Sequence, residues 1–303
     1  MPTPAPGRPA VFRKPRLLVV GCGDVGERVL RQLGGRWRVA VLTTSPARRE
    51  ALRALGARPL LGDLDRPATL GRLGALAPRV LHLAPPPAQG DDDPRTAALL
   101  RVLARGGAGE RLVYGSTTGV YGDAGGARFD ETRALAPATA RARRRVAAEA
   151  RLRHHGRAAG CCVTLLRIPG IYALDRAGGD PRERVARGTP VLHAEEDVYT
   201  NHIHADDLAR ACVAALLRGR PQRAVHVCDD SELKMGDYYA LVAALAGLPP
   251  PPRIARADAA ARLGAATLSF MSESRRLSNR RLKAELRVAL RYPDVRAGLA
   301  PGR

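Results

Sequence analysis

The chain has 303 residues, 45% hydrophobic and 26% charged. That supports one large core with a small appended lobe and excludes disorder or collagen-like repetition. No stretch approaches the roughly 18 uninterrupted apolar residues of a membrane helix, and the opening MPTPAPGRPAVFRKPR lacks the apolar centre of a signal peptide, so a cytoplasmic protein without membrane contact is expected. The net charge of +21 would attract polyanions. Lysine, however, occurs only at Lys14, Lys234 and Lys283, and the arginines are spread along the whole chain, with 4% aromatic residues available for stacking on bases. Specific nucleic-acid binding is not expected on that footprint.

Residues 1–15 hold five prolines and read as a flexible basic leader. From Arg16 an apolar run, Leu17 to Val20, meets Gly21, and a segment of helical period follows from Asp24 to Leu33. The chain thus reads strand, glycine turn, helix. The turn, Gly21-Cys22-Gly23-Asp24-Val25-Gly26, is GxGxxG. In that context the first glycine permits the tight turn, the second lets backbone approach a diphosphate, and the third lets helix pack on strand, while the helix N-terminus offers free amides.

A second strand, Val39 to Leu42, ends in Thr43, Thr44 and Ser45, followed by Arg48 and Arg49. An NAD-specific site usually places a carboxylate there. With hydroxyls and guanidinium groups instead, NADP is the more compatible coenzyme and NAD the alternative; a solvated helix face is the bland reading of those arginines.

Further strands are expected at Arg58–Leu61, Val80–Ala84, Arg111–Gly115 and Cys161–Ile168, with helices at Pro94–Ala104 and about Ala138–His155. Nearly all-apolar strands alternating with helices imply a doubly wound parallel sheet covered on both faces. Residues 16–170, completed by about 201–230, form the dinucleotide-binding domain in this reading. Residues 171–200 and 231–303 form a substrate-binding lobe, with Ser269 to Arg276 and the helix after it closing over the cleft. Five cysteines, Cys161 and Cys162 adjacent, suit free thiols.

Seven segments in order make the chain resemble an extended short-chain dehydrogenase/reductase of the NAD-dependent epimerase/dehydratase type, in one of its atypical branches. They are the glycine turn, Gly62-Asp63-Leu64, His82-Leu83-Ala84, Gly115 to Asp123 (GSTTGVYGD), Asp130-Glu131-Thr132, Arg167 to Tyr172 (RIPGIY) and Asn201 to Ala209 (NHIHADDLA). The resemblance implies a Rossmann sheet and a homodimer paired through helices. It also implies that Asp63 and Leu64 contact adenine, that Ala84 lies along the coenzyme, that Thr117 takes the catalytic Ser/Thr position, and that Pro169 and Gly170 face the nicotinamide.

One departure matters. The tyrosine, and the lysine four residues later, that active members carry fall here on Arg141 and Arg145. A tyrosine beside a cation can exchange a proton with a carbinol; arginine stays protonated and cannot. In one reading the chain is an oxidoreductase or epimerase-like enzyme acting on a hydroxyl or carbonyl of a small molecule. Arg141 or Arg145 then stabilises the developing negative oxygen, and Thr117, Tyr121 or water supplies the proton. In the other it is a catalytically silent NADP(H)-binding regulator. A third, compatible with both, has Arg141 to Arg145 as a solvated helix face.

His202, His204, Asp206 and Asp207 have a conceivable metal spacing, but a strand handing over to a helix capped by Asp206 is the expected reading, without metal. Cys22, inside the turn, would couple oxidation to coenzyme binding only if its thiol were reactive.

Overall fold

The computed structural model describes residues 14–71, 73–107 and 109–300. The expected basic leader therefore lies outside the described residues, apart from Lys14 and Pro15. These two are tied down: Lys14 Nζ donates to the Gly35 carbonyl at 2.8 Å and Pro15 accepts from Arg38 N–H at 2.8 Å.

Strands β1 (Arg16–Val20), β2 (Arg38–Thr43), β3 (Ala57–Leu61), β4 (Arg79–His82), β5 (Arg111–Thr117) and β6 (Cys162–Ile168) alternate with helices α1 (Asp24–Leu33), α2 (Arg49–Ala54), α3 (Pro94–Arg105) and α4 (Ala140–Ala158). A short strand β7 (Gly170–Tyr172) pairs with β8 (His202–His204), and β9 (Arg223–His226) completes the main sheet. That sheet has seven strands in the order β9-β6-β5-β4-β1-β2-β3, all parallel. The expected doubly wound fold is what forms.

The elements follow from local chemistry. Helix α1 turns Val25, Val29, Leu30 and Leu33 onto the sheet and stops at Gly34, whose left-handed φ of 53° lets its N–H reach the Leu30 and Arg31 carbonyls. Helix α4 begins at Thr139, whose hydroxyl accepts from Ala142 N–H at 3.2 Å. Half of its buried residues are small (Ala142, Ala148, Gly156), which lets this arginine-rich helix lie close against the sheet.

Two expectations need correction. The strand expected to run to Ala84 stops at His82, because Leu83 and Ala84 both turn their N–H groups onto the Val20 carbonyl, at 2.7 and 3.0 Å. Helix α6 (Ala205–Arg218), to which α5 (Pro181–Ala186) leads, is capped by His204 and not by Asp206: Nδ1 of His204 accepts from Asp206 N–H at 3.2 Å.

A lobe of helices α7 (Met235–Ala246), α8 (Arg256–Arg262) and α9 (Ala265–Met271) has its own small apolar clusters, one around Tyr172, Val185, Tyr238 and Val242, another around Leu192, Met235, Ile254 and Met271. The expected cover is only partly met. Thr267, Phe270, Glu273 and Arg275 line the cleft, but the helix Arg280–Ala284 packs Leu282 into the main core. No helix among the described residues is long and apolar enough to cross a membrane, and all five cysteines are free.

Candidate active site

In an open parallel sheet the crevice for ligands lies where strand order reverses, beyond the carboxyl ends of the strands. Here that point is between β1 and β4, and a cleft of about 1200 Å³ opens there. Gly21 has φ +85°, and a Cβ on it would collide with the Ala84 backbone, so the turn and the end of β4 are in contact because residue 21 is glycine. A Cβ on Gly26 would press on Cys22 Sγ at 2.9 Å, which is the close helix packing expected of the third glycine. Gly23, by contrast, faces open space. Among the described residues no side chain caps the N-terminus of α1, so its first amides, including those of Asp24 and Val25, can donate to a ligand.

Every residue expected to hold the coenzyme lines this cleft: Gly21, Gly23, Asp24, Val25, Gly26, Thr43, Thr44, Arg48, Asp63, Leu64, Ala84, Pro169 and Gly170. Several side chains already have other partners. The Asp24 carboxylate pairs with Arg28 and Arg176, both at 3.1 Å, while Arg28, 6% exposed, also holds Asp175 and Asp206 at 2.6 Å. The start of α1 is thereby tied to the 173–180 loop and to α6. Arg48 reaches back over the glycine turn, donating to the Cys22 carbonyl and pairing with Glu27, each at 2.6 Å. Burial pushes the Cys22 thiol up to about 11, which leaves little thiolate for oxidation and suits a small residue that the turn tolerates.

The residues expected to do chemistry divide. Thr117 ends β5 at the cleft, its hydroxyl accepting from Gly119 N–H at 3.3 Å. Arg145 lines the cleft half-buried, with Nη1 donating to Tyr114 Oη at 2.9 Å and to the Gly115 carbonyl at 2.7 Å. Arg141, exposed, places its guanidinium 4.8 Å from the centre of the Phe270 ring.

Tyr121 is elsewhere. It is fully buried and outside the cleft lining, accepting from Arg167 Nη1 at 2.5 Å and bonded to His226 Nε2 at 2.6 Å. Because His226 Nδ1 faces the Ser278 carbonyl at 3.0 Å, Nδ1 carries the ring proton and Nε2 accepts from Tyr121. Burial raises the Tyr121 hydroxyl to about 12 and holds His226 down at about 3. Tyr121 therefore has a structural role and is withdrawn as a proton donor to a ligand in the cleft.

Beneath the site Glu149, 1% exposed, accepts from Ser116 Oγ at 2.7 Å and from Arg167 Nε and Nη2 at 3.1 and 2.7 Å. This buried set fixes the ends of β5 and β6 to α4. Sequence reading missed the lobe side of the cleft, where Tyr172, Tyr199, His202, Tyr238 and Arg184 take part in the lining. His202 stacks on Tyr238 with ring centres 3.8 Å apart and stands beside Gly170, and its Nδ1 is sealed without a partner. Burial keeps His202 neutral, at about 3. The one available signal was the alternation Asn201-His202-Ile203-His204, read as a possible metal spacing; among the described residues no group of three or more His, Cys, Asp or Glu side chains could hold a metal ion.

The chain matches the model of the NAD dependent epimerase/dehydratase family over residues 17–228. It is similar to a functionally unknown conserved protein from Silicibacter pomeroyi DSS, with 33% identity, TM-score 0.78 and coverage of 94% of this chain and 96% of that one. A UDP-glucose 4-epimerase from Thermotoga maritima superposes with TM-score 0.77 at 18% identity, covering 94% and 96%. MoeE5, solved with UDP-glucose and NAD, superposes with TM-score 0.71 at 21% identity over the same shares. These last two show the fold. No curated protein matches the chain.

Proposed function

The chain belongs to the NAD dependent epimerase/dehydratase family, and from that premise we propose that it is an NAD(P)-dependent oxidoreductase or epimerase-like enzyme acting on a hydroxyl or carbonyl carbon of a small molecule, a sugar derivative among the candidates. The observation that carries this reading is the cleft at the β1/β4 reversal, which has uncapped helix amides at one end and Thr117 and Arg145 on the wall between the sheet and α4.

The residues present suit a dinucleotide. The amides of Asp24 and Val25 would hold a diphosphate, with Gly23 leaving room for it; Asp63 and Leu64 would border the adenine, and Pro169 and Gly170 the nicotinamide. A bound nicotinamide would supply hydride transfer. Arg145, held by neutral acceptors, offers its positive charge to an oxygen that becomes negative, and Thr117 or solvent exchanges the proton, since Tyr121 is out of reach. We favour NADP because the end of β2 carries Thr43 and Thr44 where a carboxylate would repel a 2′-phosphate, with Arg48 close by. Five free thiols suit a reducing, cytoplasmic compartment.

The absent tyrosine and lysine favour a second reading, a silent NADP(H)-binding regulator. Single-turnover oxidation of bound NADPH, followed against a panel of aldehydes, keto sugars and keto acids, separates the two. Turnover that falls in Arg145→Gln and Thr117→Ala supports the enzyme; no turnover across the panel supports the regulator.

A further inference from the structure

Most arginines lining the cleft sit on carboxylates, as Arg48 does on Glu27, Arg176 on Asp24 and Arg275 on Glu273, at 2.6, 3.1 and 2.6 Å. Arg141 and Arg145 have no carboxylate partner among the described residues. They are four residues apart on α4, the spacing at which side chains of one helical face meet and at which like charges destabilise the helix. The same helix does find counter-charge for its outward arginines: Arg143 pairs with Asp91 at 3.0 Å, and Arg151 with Asp92. Toward the cleft, no carboxylate among the described residues pairs with either guanidinium.

The donors on that face are free as well. Arg141 rests on the Phe270 ring and its guanidinium makes no hydrogen bond among the described residues, while Arg145 uses Nη1 on Tyr114 and Gly115 and has no partner among them for Nε and Nη2. Both acceptors of Arg145 are neutral, and the buried Glu149 one turn along the helix is taken up by Ser116 and Arg167. An oxygen that becomes negative during hydride transfer needs one cation. The second guanidinium has no object in that chemistry.

We propose that Arg141 and Arg145 together form a seat for an oxyanion that the substrate carries from the outset, a carboxylate or a phosphoryl group. This rests on the reading of the cleft as a coenzyme and substrate site and narrows its substrate class to ionised molecules, such as hydroxy or keto acids, sugar acids and sugar phosphates. Guanidinium forks recognise such groups by paired hydrogen bonds, and an anion between two of them relieves the repulsion across the helical turn.

The test is calorimetric titration of the whole protein, with and without saturating NADP, at fixed ionic strength, using malonate, inorganic phosphate and the neutral malonamide as probes. The expected result is one site for malonate or phosphate and none for malonamide. Arg141→Gln and Arg145→Gln should each weaken the anion by about tenfold or more, as loss of a charge-assisted hydrogen bond does, and Arg143→Gln should leave it unchanged. Which anion binds identifies the group. Arg141 is exposed, so its variant keeps the test clear of folding defects. Failure of both anions to bind, or binding indifferent to both cleft variants, overturns the proposal. If NADP does not bind yet the anion result holds, the coenzyme reading fails and the seat stands; if NADP binds and neither anion does, only the seat fails.

Discussion

Glu27 and Arg48 decide how much of a 2′-phosphate preference the cleft can express. The ion pair between them partly neutralises the one guanidinium placed at the end of β2 by the glycine turn. Glu27→Gln is therefore expected to raise NADPH affinity, by about twofold to fivefold for a partly exposed pair, and Arg48→Ala to lower it by about tenfold or more while leaving NADH little changed; calorimetry with both coenzymes checks this. Asp229 offers a prediction about stability. Its Oδ1 accepts from Ser231 N–H at 2.9 Å, its Oδ2 is sealed without a partner, and burial, followed by the nearby Asp230 and Asp294 charges, pushes its carboxyl up to about 8. The folded state thus holds a proton that the unfolded chain releases near its ordinary value of 3.8. The stabilisation is complete below that value and is lost as pH rises through about 8. Asp229→Asn should flatten this dependence and raise the melting temperature at pH 8.5 by about 2–4 °C, with little gain at pH 5; equal shifts at both pH values would contradict the assignment.

At the scale of elements, the site depends on three pieces meeting at one buried ion pair: the end of β5 through Ser116, the end of β6 through Arg167, and α4 through Glu149. Removing one partner leaves an uncompensated buried charge, which costs about 3–5 kcal/mol. Glu149→Ala should lower the melting temperature by roughly 10 °C, whereas Glu149→Met with Arg167→Met, which removes both charges, should lose far less. The glycine turn was legible because it is local: Gly21, Gly23 and Gly26 follow a strand and open a helix within a few residues, and Asp24–Leu33 is helical as its periodicity predicts. The role of Tyr121 was not legible. What buries it, His226 and Arg167, lies 105 and 46 residues away, and a motif that places a tyrosine in a loop says nothing of which way it faces. His202 and Tyr238 likewise meet only because β8 pairs with β7 and α7 stacks behind it.

For the molecule as a whole, alternating strands and helices made the sheet readable, but the lobe is built from short pieces whose burial depends on partners distant in sequence, and its share of the cleft could not be assigned from periodicity. Large exposed apolar side chains among the described residues are Leu61, Leu217 and Phe270, on three separate elements. The net charge of +21 opposes association at low salt, so the mass is best measured at moderate ionic strength. Sedimentation tests the homodimer implied by the resemblance: a species of twice 32.3 kDa is the expected result, and one of 32.3 kDa would contradict it. The most direct measurement is a calorimetric titration of the whole protein with NADPH and NADH. One coenzyme per chain, saturating well below millimolar and tighter for NADPH, is the predicted result. No heat from either coenzyme at millimolar concentration would contradict the claim that the turn from Gly21 to Gly26 is built to hold a dinucleotide.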